Sequence, residues 1–420
     1  MPAKSRQLAV WFNQRQVGLL SEHDGWWQFH YSASWLSAED AFAIAPRLPL
    51  QDEPFIDSAN LRPVQWWFDN LLPEEQARQL LAQHHRLAVD DSFALLQAVG
   101  AESAGALTLL APGEVLPAAS AEPLAKAELS RRIRQLPRLP LNDGERKRMS
   151  LAGAQHKMLL IADGQQYFEP VGDTPSSHIL KPEHSQPELY PFTVRNEWFV
   201  MRLADACGLW VPPVAVDYVP EAIYLVERFD RQGCYPHQTR LHVLDGCQVL
   251  GLPAHAKYRE SSLENLALLL SKTRRKAQNT LRIYRWLVFN FLLGNGDAHL
   301  KNLSFDMRAD GLDLSPHYDL LSTVIYEAPH QYADALLSQP LPGATRFSEV
   351  RRQHLLEAAT LLGLRTAIAN REIDRLLQVI RPAADALIAQ LEANGIPGEL
   401  RMLRQISSLA IDEFSAQLKC

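Results

Sequence analysis

The chain has four cysteines in 420 residues, and their spacing forms no disulfide framework. That excludes a small disulfide-stapled secreted fold and points to a reducing compartment. No apolar run approaches the roughly 18 residues that a membrane span needs. The opening Met-Pro-Ala-Lys-Ser-Arg-Gln runs into a strand-like segment without the apolar core of a signal peptide. Internal repeats are also missing. An excess of positive charge is lacking, since the formal net charge is −6, which argues against nucleic-acid binding over the whole surface. The exception is the run Lys272-Thr273-Arg274-Arg275-Lys276, readable as a DNA contact or as a solvated face. What is present is ordinary for a globular protein: 47% apolar residues and length enough for two or three domains. The expected location is the cytoplasm, with no membrane partner.

One stretch concentrates the chemistry. An apolar helix, Leu281 to Leu293, stops at Gly294-Asn295-Gly296. Asp297 follows, Asn302 comes five positions later, and a short alternating strand begins at Leu303. The Asp310-Gly311 turn and a second strand, Leu312 to Leu314, lead to His317-Tyr318-Asp319. Two carboxylates and a carboxamide fixed around a hairpin can orient an attacking hydroxyl and hold Mg²⁺ on ATP phosphates. Protein kinases place the same groups as Asp-x4-Asn followed by a metal-binding Asp. The usual His-Arg before the first Asp and Phe-Gly after the last are both missing here. Taken alone, the same pattern also reads as a polar turn that caps a helix.

The remainder supplies a context for that stretch. Leu8 to Phe12, Val17 to Leu20 and Trp26 to Tyr31 read as strands joined by polar turns. Helical spacing follows over Pro73 to His84 and Ser92 to Val99. Trp66 and Trp67 read as packing residues, and nothing in 1–110 suggests chemistry. An Ala-, Pro- and Glu-rich linker spans 111–127 and runs into a short helix. A second module opens near Asn142-Asp143-Gly144. Lys157 to Ala162, an Asp163-Gly164 turn and Gln165 to Glu169 predict a hairpin. His178 to Lys181 is a short strand, and the next helix ends at Gly208. Strands at Val214 to Val219 and Ala222 to Phe229 follow, with helices almost throughout beyond residue 260.

Three further features bear on a nucleotide. Arg148-Met149-Ser150-Leu151-Ala152-Gly153-Ala154-Gln155-His156-Lys157 puts small residues before a strand, where backbone N–H groups can approach phosphate oxygens. With a single glycine it reads equally as a plain strand entry. Lys181 is placed to neutralise α- and β-phosphates, or to be solvated at a strand end. Glu197 on the following helix either pairs with Lys181 or carries a surface charge. Between Tyr224 and Asp230 an apolar strand breaks into charge, as a hinge would, and its backbone from Glu227 through Arg228 to Phe229 can meet adenine.

Six motifs stand in register: Ser-Leu-Ala-Gly-Ala-Gln-His-Lys at 150–157, His-Ile-Leu-Lys at 178–181, Asn-Glu at 196–197, Leu-Val-Glu-Arg-Phe-Asp-Arg at 225–231, Gly-Asp-Ala-His-Leu-Lys-Asn at 296–302 and Tyr-Asp-Leu-Leu-Ser at 318–322. Together they resemble the HipA family, serine/threonine-kinase toxins of bacterial toxin–antitoxin pairs. Val17-Gly18-Leu19-Leu20 and Asn70-Leu71-Leu72-Pro73-Glu74 extend the likeness to the small N-terminal subdomain of that family, so it covers essentially the whole chain.

The resemblance implies an α+β, bilobal kinase-like fold: a β-rich subdomain at 1–110, a linker at 111–141, a kinase N-lobe at 142–232 and an all-helical C-lobe at 233–420. It implies ATP and Mg²⁺ as cofactors. Asp297 is then the catalytic base, with Lys301 steadying the transferred phosphoryl group and Asn302 and Asp319 as metal ligands. Ala152, Gly153, Ala154, Gln155, His156 and Lys157 cover the phosphates, Lys181 contacts them, and Glu227, Arg228, Phe229, His299 and His317 complete the cofactor site. Ser150 matches a regulatory autophosphorylation position. A phosphoserine there, carrying roughly −1.5 to −2 charge, would repel ATP from the same pocket. Implied partners are a protein substrate (an aminoacyl-tRNA synthetase in the best-known case), a HipB-like helix-turn-helix antitoxin, and DNA mainly through the antitoxin complex.

Cys234, His237, His242 and Cys247 form a rival pattern with the spacing of a zinc knuckle. It has two histidines where a knuckle has one, and Cys247 begins what reads as a plain helical stretch, so packing is the preferred reading. Two other functions fit less of the chain: a small-molecule phosphotransferase, and a catalytically idle corepressor subunit.

Overall fold

The computed structural model describes residues 5–141, 149, 151–153, 155–328, 331–393 and 395–419. Ser150, Ala154 and the Asn142-Asp143-Gly144 opening of the second module therefore lie outside the described residues. The chain divides into two compact units, Met1–Ser185 with Asp217–Ala256 and Phe305–Leu312, and Gln186–Val216 with Lys257–Ser304 and Asp313–Cys420.

The two larger sheets lie in the first unit, which also holds the short pair Arg231–Gln232 and Thr239–Arg240. In one, the strands run in the order Phe55–Ile56, Trp26–Tyr31, Arg15–His23, Ser5–Phe12 and Leu107–Leu110, all antiparallel. Alternation is clearest in Trp26–Tyr31, where Trp27, Phe29 and Tyr31 are buried while Trp26 and His30 stay exposed; Leu8, Val10, Val17 and Leu20 of the neighbouring strands are buried as well. Helices Pro63–Asp69, Glu75–His85 and Ser92–Val99 follow. Trp67 is buried edge-on against Phe68, whereas Trp66 is only half-buried.

In the second sheet Ala222–Glu227, His178–Pro182, Met158–Asp163, Gln166–Val171 and Ser120–Leu124 lie side by side. The expected hairpin forms, but its two-residue turn is Gly164-Gln165, one position later than the sequence pattern suggests. Gly164 supplies the left-handed φ of 58°. Leu129 from the helix Lys126–Gln135 joins Met158, Leu160, Leu180, Ile223 and Leu225 in the core beneath this sheet.

The second unit is mostly helical: Thr193–Ala206, Leu263–Ser271, Lys276–Leu293, Arg352–Leu361, Thr366–Leu391 and Pro397–Gln405. It is not all-helical as expected, because Leu336–Leu341 and Ala344–Arg346 pair as a hairpin around Gly343, whose φ of 76° closes the turn. In the basic run, Arg274 and Arg275 pair with buried Asp313 at 2.8 and 3.0 Å. Among the described residues no helix is long and apolar enough to cross a membrane.

Candidate active site

Helix Lys276–Leu293 ends because Gly294 adopts a left-handed φ of 61° and returns its N–H to the last turn. Asn295 then fixes the exit: its Nδ2 donates to Asn290 Oδ1 at 2.7 Å, and its Oδ1 accepts from the Asp297 N–H at 3.0 Å. Asn302 closes the loop from the far side, its Nδ2 donating to the Asp297 carbonyl at 2.7 Å. With the amide nitrogen so engaged, the Asn302 carbonyl oxygen is turned away from that bond. Asp297 keeps 39% of its side chain exposed, while His299 is buried with Nε2 3.8 Å from Asp297 Oδ1. Tyr258 donates its hydroxyl to the same Oδ1 and packs edge-on against His299. Lys301 is buried.

Asp319 reaches this loop through its neighbour. The Tyr318 hydroxyl donates to the Lys301 carbonyl at 2.7 Å and lies 2.8 Å from Ser304 Oγ. Asp319 itself has a φ of 58°, a left-handed conformation unusual for a residue with a Cβ. Such strain persists only where surrounding contacts impose it. Three residues on, Asn196 clamps Ser322. The second unit thus holds Asp297, His299, Lys301 and Asn302 in one loop, to which Tyr318, next to Asp319, is hydrogen-bonded.

His317 is held by packing. Its ring is buried and stacked on Trp286, 6.2 Å between centroids, and it lines a cavity of about 300 Å³ with Trp210 and Arg282. Burial, then the charge of Arg282, push its pKa down to about 3, so the ring is neutral where it packs on Trp286.

In the first unit Lys181 lies within strand His178–Pro182, opposite Tyr224, with its ammonium 5.8 Å from that ring. It is buried, contrary to the solvated alternative. Ala152 and Gly153 lead the loop: Gly153 has a φ of 110°, and Lys157 Nζ donates to the Ala152 carbonyl at 2.7 Å. A Cβ on Gly153 would fall 2.5 Å from that nitrogen. Lys157 therefore closes the loop on itself instead of reaching outward. Gln155 and His156 are half-buried, and desolvation, then His184, hold His156 below its usual pKa. The loop is also held by residues in which the sequence shows no chemistry. Gly153 accepts from the Glu74 N–H at 3.1 Å, and Met149 bridges to Glu102.

The proposed hinge is anchored more heavily than a strand end needs. Glu227 is exposed, but the Arg228 N–H donates to Ser177 and its guanidinium is buried. Arg228 grips Asp230 at 2.6 and 2.8 Å and reaches the Ser103 carbonyl at 3.0 Å. Arg231 meets Glu102 at 3.0 Å, and Glu102 also accepts from Ser176 Oγ at 2.7 Å. Burial raises the Asp230 pKa, but Arg228 and then Arg231 outweigh it, and the carboxyl sits below its usual range. Arg228 thus builds this junction and offers neither N–H nor side chain to adenine, while Phe229 is half-buried beside it.

Of the rival knuckle residues, two serve packing: His242 Nε2 is 2.9 Å from the Ile44 carbonyl with its ring stacked on Phe42, and Cys247 is buried; Cys234 and His237 are exposed.

Residues 149–388 match the HipA-like C-terminal domain and residues 8–110 the HipA N-terminal domain. The chain belongs to the HipA family. It is 38% identical to the Y4mE protein of Sinorhizobium fredii over 335 residues, 76% of this chain and 78% of that one. It is 31% identical to the serine/threonine-protein kinase toxin HipA of Shewanella oneidensis over 316 residues, covering 71% and 70%. Its α+β fold matches HipA as solved in the Shewanella oneidensis complex of HipA, HipB and operator DNA, with a TM-score of 0.84 and 26% identity over 98% of this chain and 97% of that one. This HipA-family chain is a kinase.

Proposed function

We propose that the chain is an ATP- and Mg²⁺-dependent serine/threonine protein kinase that acts as a growth-inhibiting toxin in the cytoplasm. The observation that carries this reading is the loop in which Asn302 holds the Asp297 backbone at 2.7 Å while the Asp297 carboxylate stays accessible. Asp297 orients an acceptor hydroxyl and receives its proton. Lys301 steadies the phosphoryl group in transfer, Lys181 neutralises the α- and β-phosphates, and the 152–157 backbone covers them, with Glu227 and Phe229 toward the base.

The donor set suits Mg²⁺: the Asn302 carbonyl oxygen and the Asp319 carboxylate are hard oxygens, and Mg²⁺ characteristically takes one or two protein oxygens and fills its octahedron with phosphates and waters. When bound, the ion neutralises charge on the β- and γ-phosphate oxygens. Positioning and charge then account for catalysis, as phosphoryl transfer leaves little covalent work to the protein.

The relation to HipA supports an acceptor that is a cellular protein, possession of a HipB-like helix-turn-helix antitoxin, and DNA binding through that complex. Ser150 is the proposed self-limiting autophosphorylation site. Incubation with labelled ATP tests the chemistry: Asp297→Asn should abolish labelling, and labelling that persists would overturn the assignment. Ser150→Ala should remove the main self-labelled site on intact-mass measurement. Growth arrest on expression, relieved by the adjacent antitoxin gene, tests the toxin role.

A further inference from the structure

Tyr258 lies outside every motif that marks the kinase, in the turn before helix Leu263–Ser271. Its phenol O–H nevertheless donates to Asp297 Oδ1, the carboxylate proposed to receive the acceptor proton. We infer that the Tyr258 hydroxyl occupies the place of the acceptor hydroxyl on Asp297 and is displaced when an acceptor serine or threonine binds. The inference rests on the reading of Asp297 as the base.

Two observations favour an occupant over a fixed brace. Tyr258 is 49% exposed, so much of its ring faces solvent and can move aside or be covered by a docking protein. The Asp297 backbone is already fixed by others, Asn295 on its N–H and Asn302 on its carbonyl, both buried, so the loop does not need the phenol to hold its course. The phenol ring also packs edge-on against His299, 4.8 Å between centroids, with the Lys257 ammonium 5.2 Å from the ring. A phenol, more acidic than a serine hydroxyl, is the better donor to a carboxylate. It holds that oxygen in the resting enzyme and keeps water from it.

Acceptor-free hydrolysis of MgATP tests this without knowledge of the protein target. In that reaction a water oxygen bonds to the γ-phosphorus, the bond to the β,γ-bridging oxygen breaks, and the water proton passes through Asp297 to solvent as ADP and phosphate leave. Tyr258→Phe keeps the ring and removes the hydroxyl. The expected result is a rise in kcat for ADP release of roughly three- to tenfold, the scale of one hydrogen bond to an ionised group at a half-exposed place, with KM for MgATP unchanged. Adding Asp297→Asn to that variant should abolish the gain. A fall or no change in kcat for Tyr258→Phe, while Asp297→Asn alone is inactive, would overturn the inference and leave the kinase reading intact. Hydrolysis that survives Asp297→Asn would instead remove the base on which it stands.

Discussion

Asn196 and Ser322 exchange a pair of hydrogen bonds, Asn196 Nδ2 donating to the Ser322 carbonyl at 2.8 Å and Asn196 Oδ1 accepting the Ser322 N–H at 2.9 Å. Both residues are fully buried. A carboxamide presents a donor and an acceptor side by side, so it satisfies both backbone groups of one residue. Asn196 is thereby the anchor that stops the chain from relaxing after strained Asp319, as Tyr318 is the strut before it. Asn196→Ala leaves both Ser322 groups unpaired and should cost about 2–4 kcal/mol of stability. Urea unfolding reads that cost. At a temperature where the variant stays folded, the MgATP-induced thermal shift should also shrink, because Asp319 is no longer held.

Acid should weaken the protein through two buried histidines. Burial lowers the His242 pKa to about 4, despite its bond to the Ile44 carbonyl, and His317 is lowered to about 3. Each is depressed below an unfolded value near 6.5. Between the two values the unfolded chain binds the extra proton, so stability is full above about pH 6.5 and falls as pH drops toward the folded pKa. From pH 7 to pH 5 each should contribute a loss of about 2 kcal/mol. Urea midpoints compared at those two pH values should differ less in His317→Phe, which keeps the stacking on Trp286 and removes the titration. An unchanged difference would rule His317 out as a source.

Glu102 carries a stability prediction of another kind. Its carboxylate faces Arg228, Arg231 and Arg240 and is 1% exposed. Glu102→Gln preserves the shape but leaves buried guanidiniums short of a counter-charge, a change worth about 3–5 kcal/mol. The effect should appear as a lower urea midpoint. Asp40→Asn, at the exposed Arg15 pair, should leave that midpoint where it is.

Legibility followed sequence separation. Asp297 and Asn302 are five residues apart and joined by one loop, so spacing alone displays them as a unit. Asn196 meets Ser322 across 126 residues and Tyr258 meets Asp297 across 39; no local pattern distinguishes either from a packing residue. His317 stands two positions before Asp319, and that spacing does not display the stacking of its ring on Trp286. Arg228 misled, since a charged residue at a strand end reads as hinge until the buried Glu102 it reaches is known. In the strand Trp26–Tyr31 periodicity was enough, because alternating burial is a property of adjacent residues, whereas the Asp163-Gly164 pattern placed its turn one residue early.

The entry to the catalytic loop offers a test of packing that the site depends on. Gly294 combines a φ of 61° with a close approach: an added Cβ would fall 2.2 Å from Val324 Cγ2 and 2.9 Å from its Cγ1. Gly294→Ala therefore incurs both left-handed strain and overlap, together about 2–4 kcal/mol. The two contributions separate in a double-mutant cycle. Val324→Ala removes the two worst overlaps and leaves only Phe414 Cε2 at 3.1 Å, so in that background Gly294→Ala should cost little beyond the backbone share, about 1 kcal/mol. Equal costs in both backgrounds would mean that the overlap is relieved by movement of the helix end, and the Asp297 loop should then lose activity in step with stability. A reduced cost in the Val324→Ala background, with activity retained, would show that the loop follows the Gly294 backbone and not the Val324 side chain.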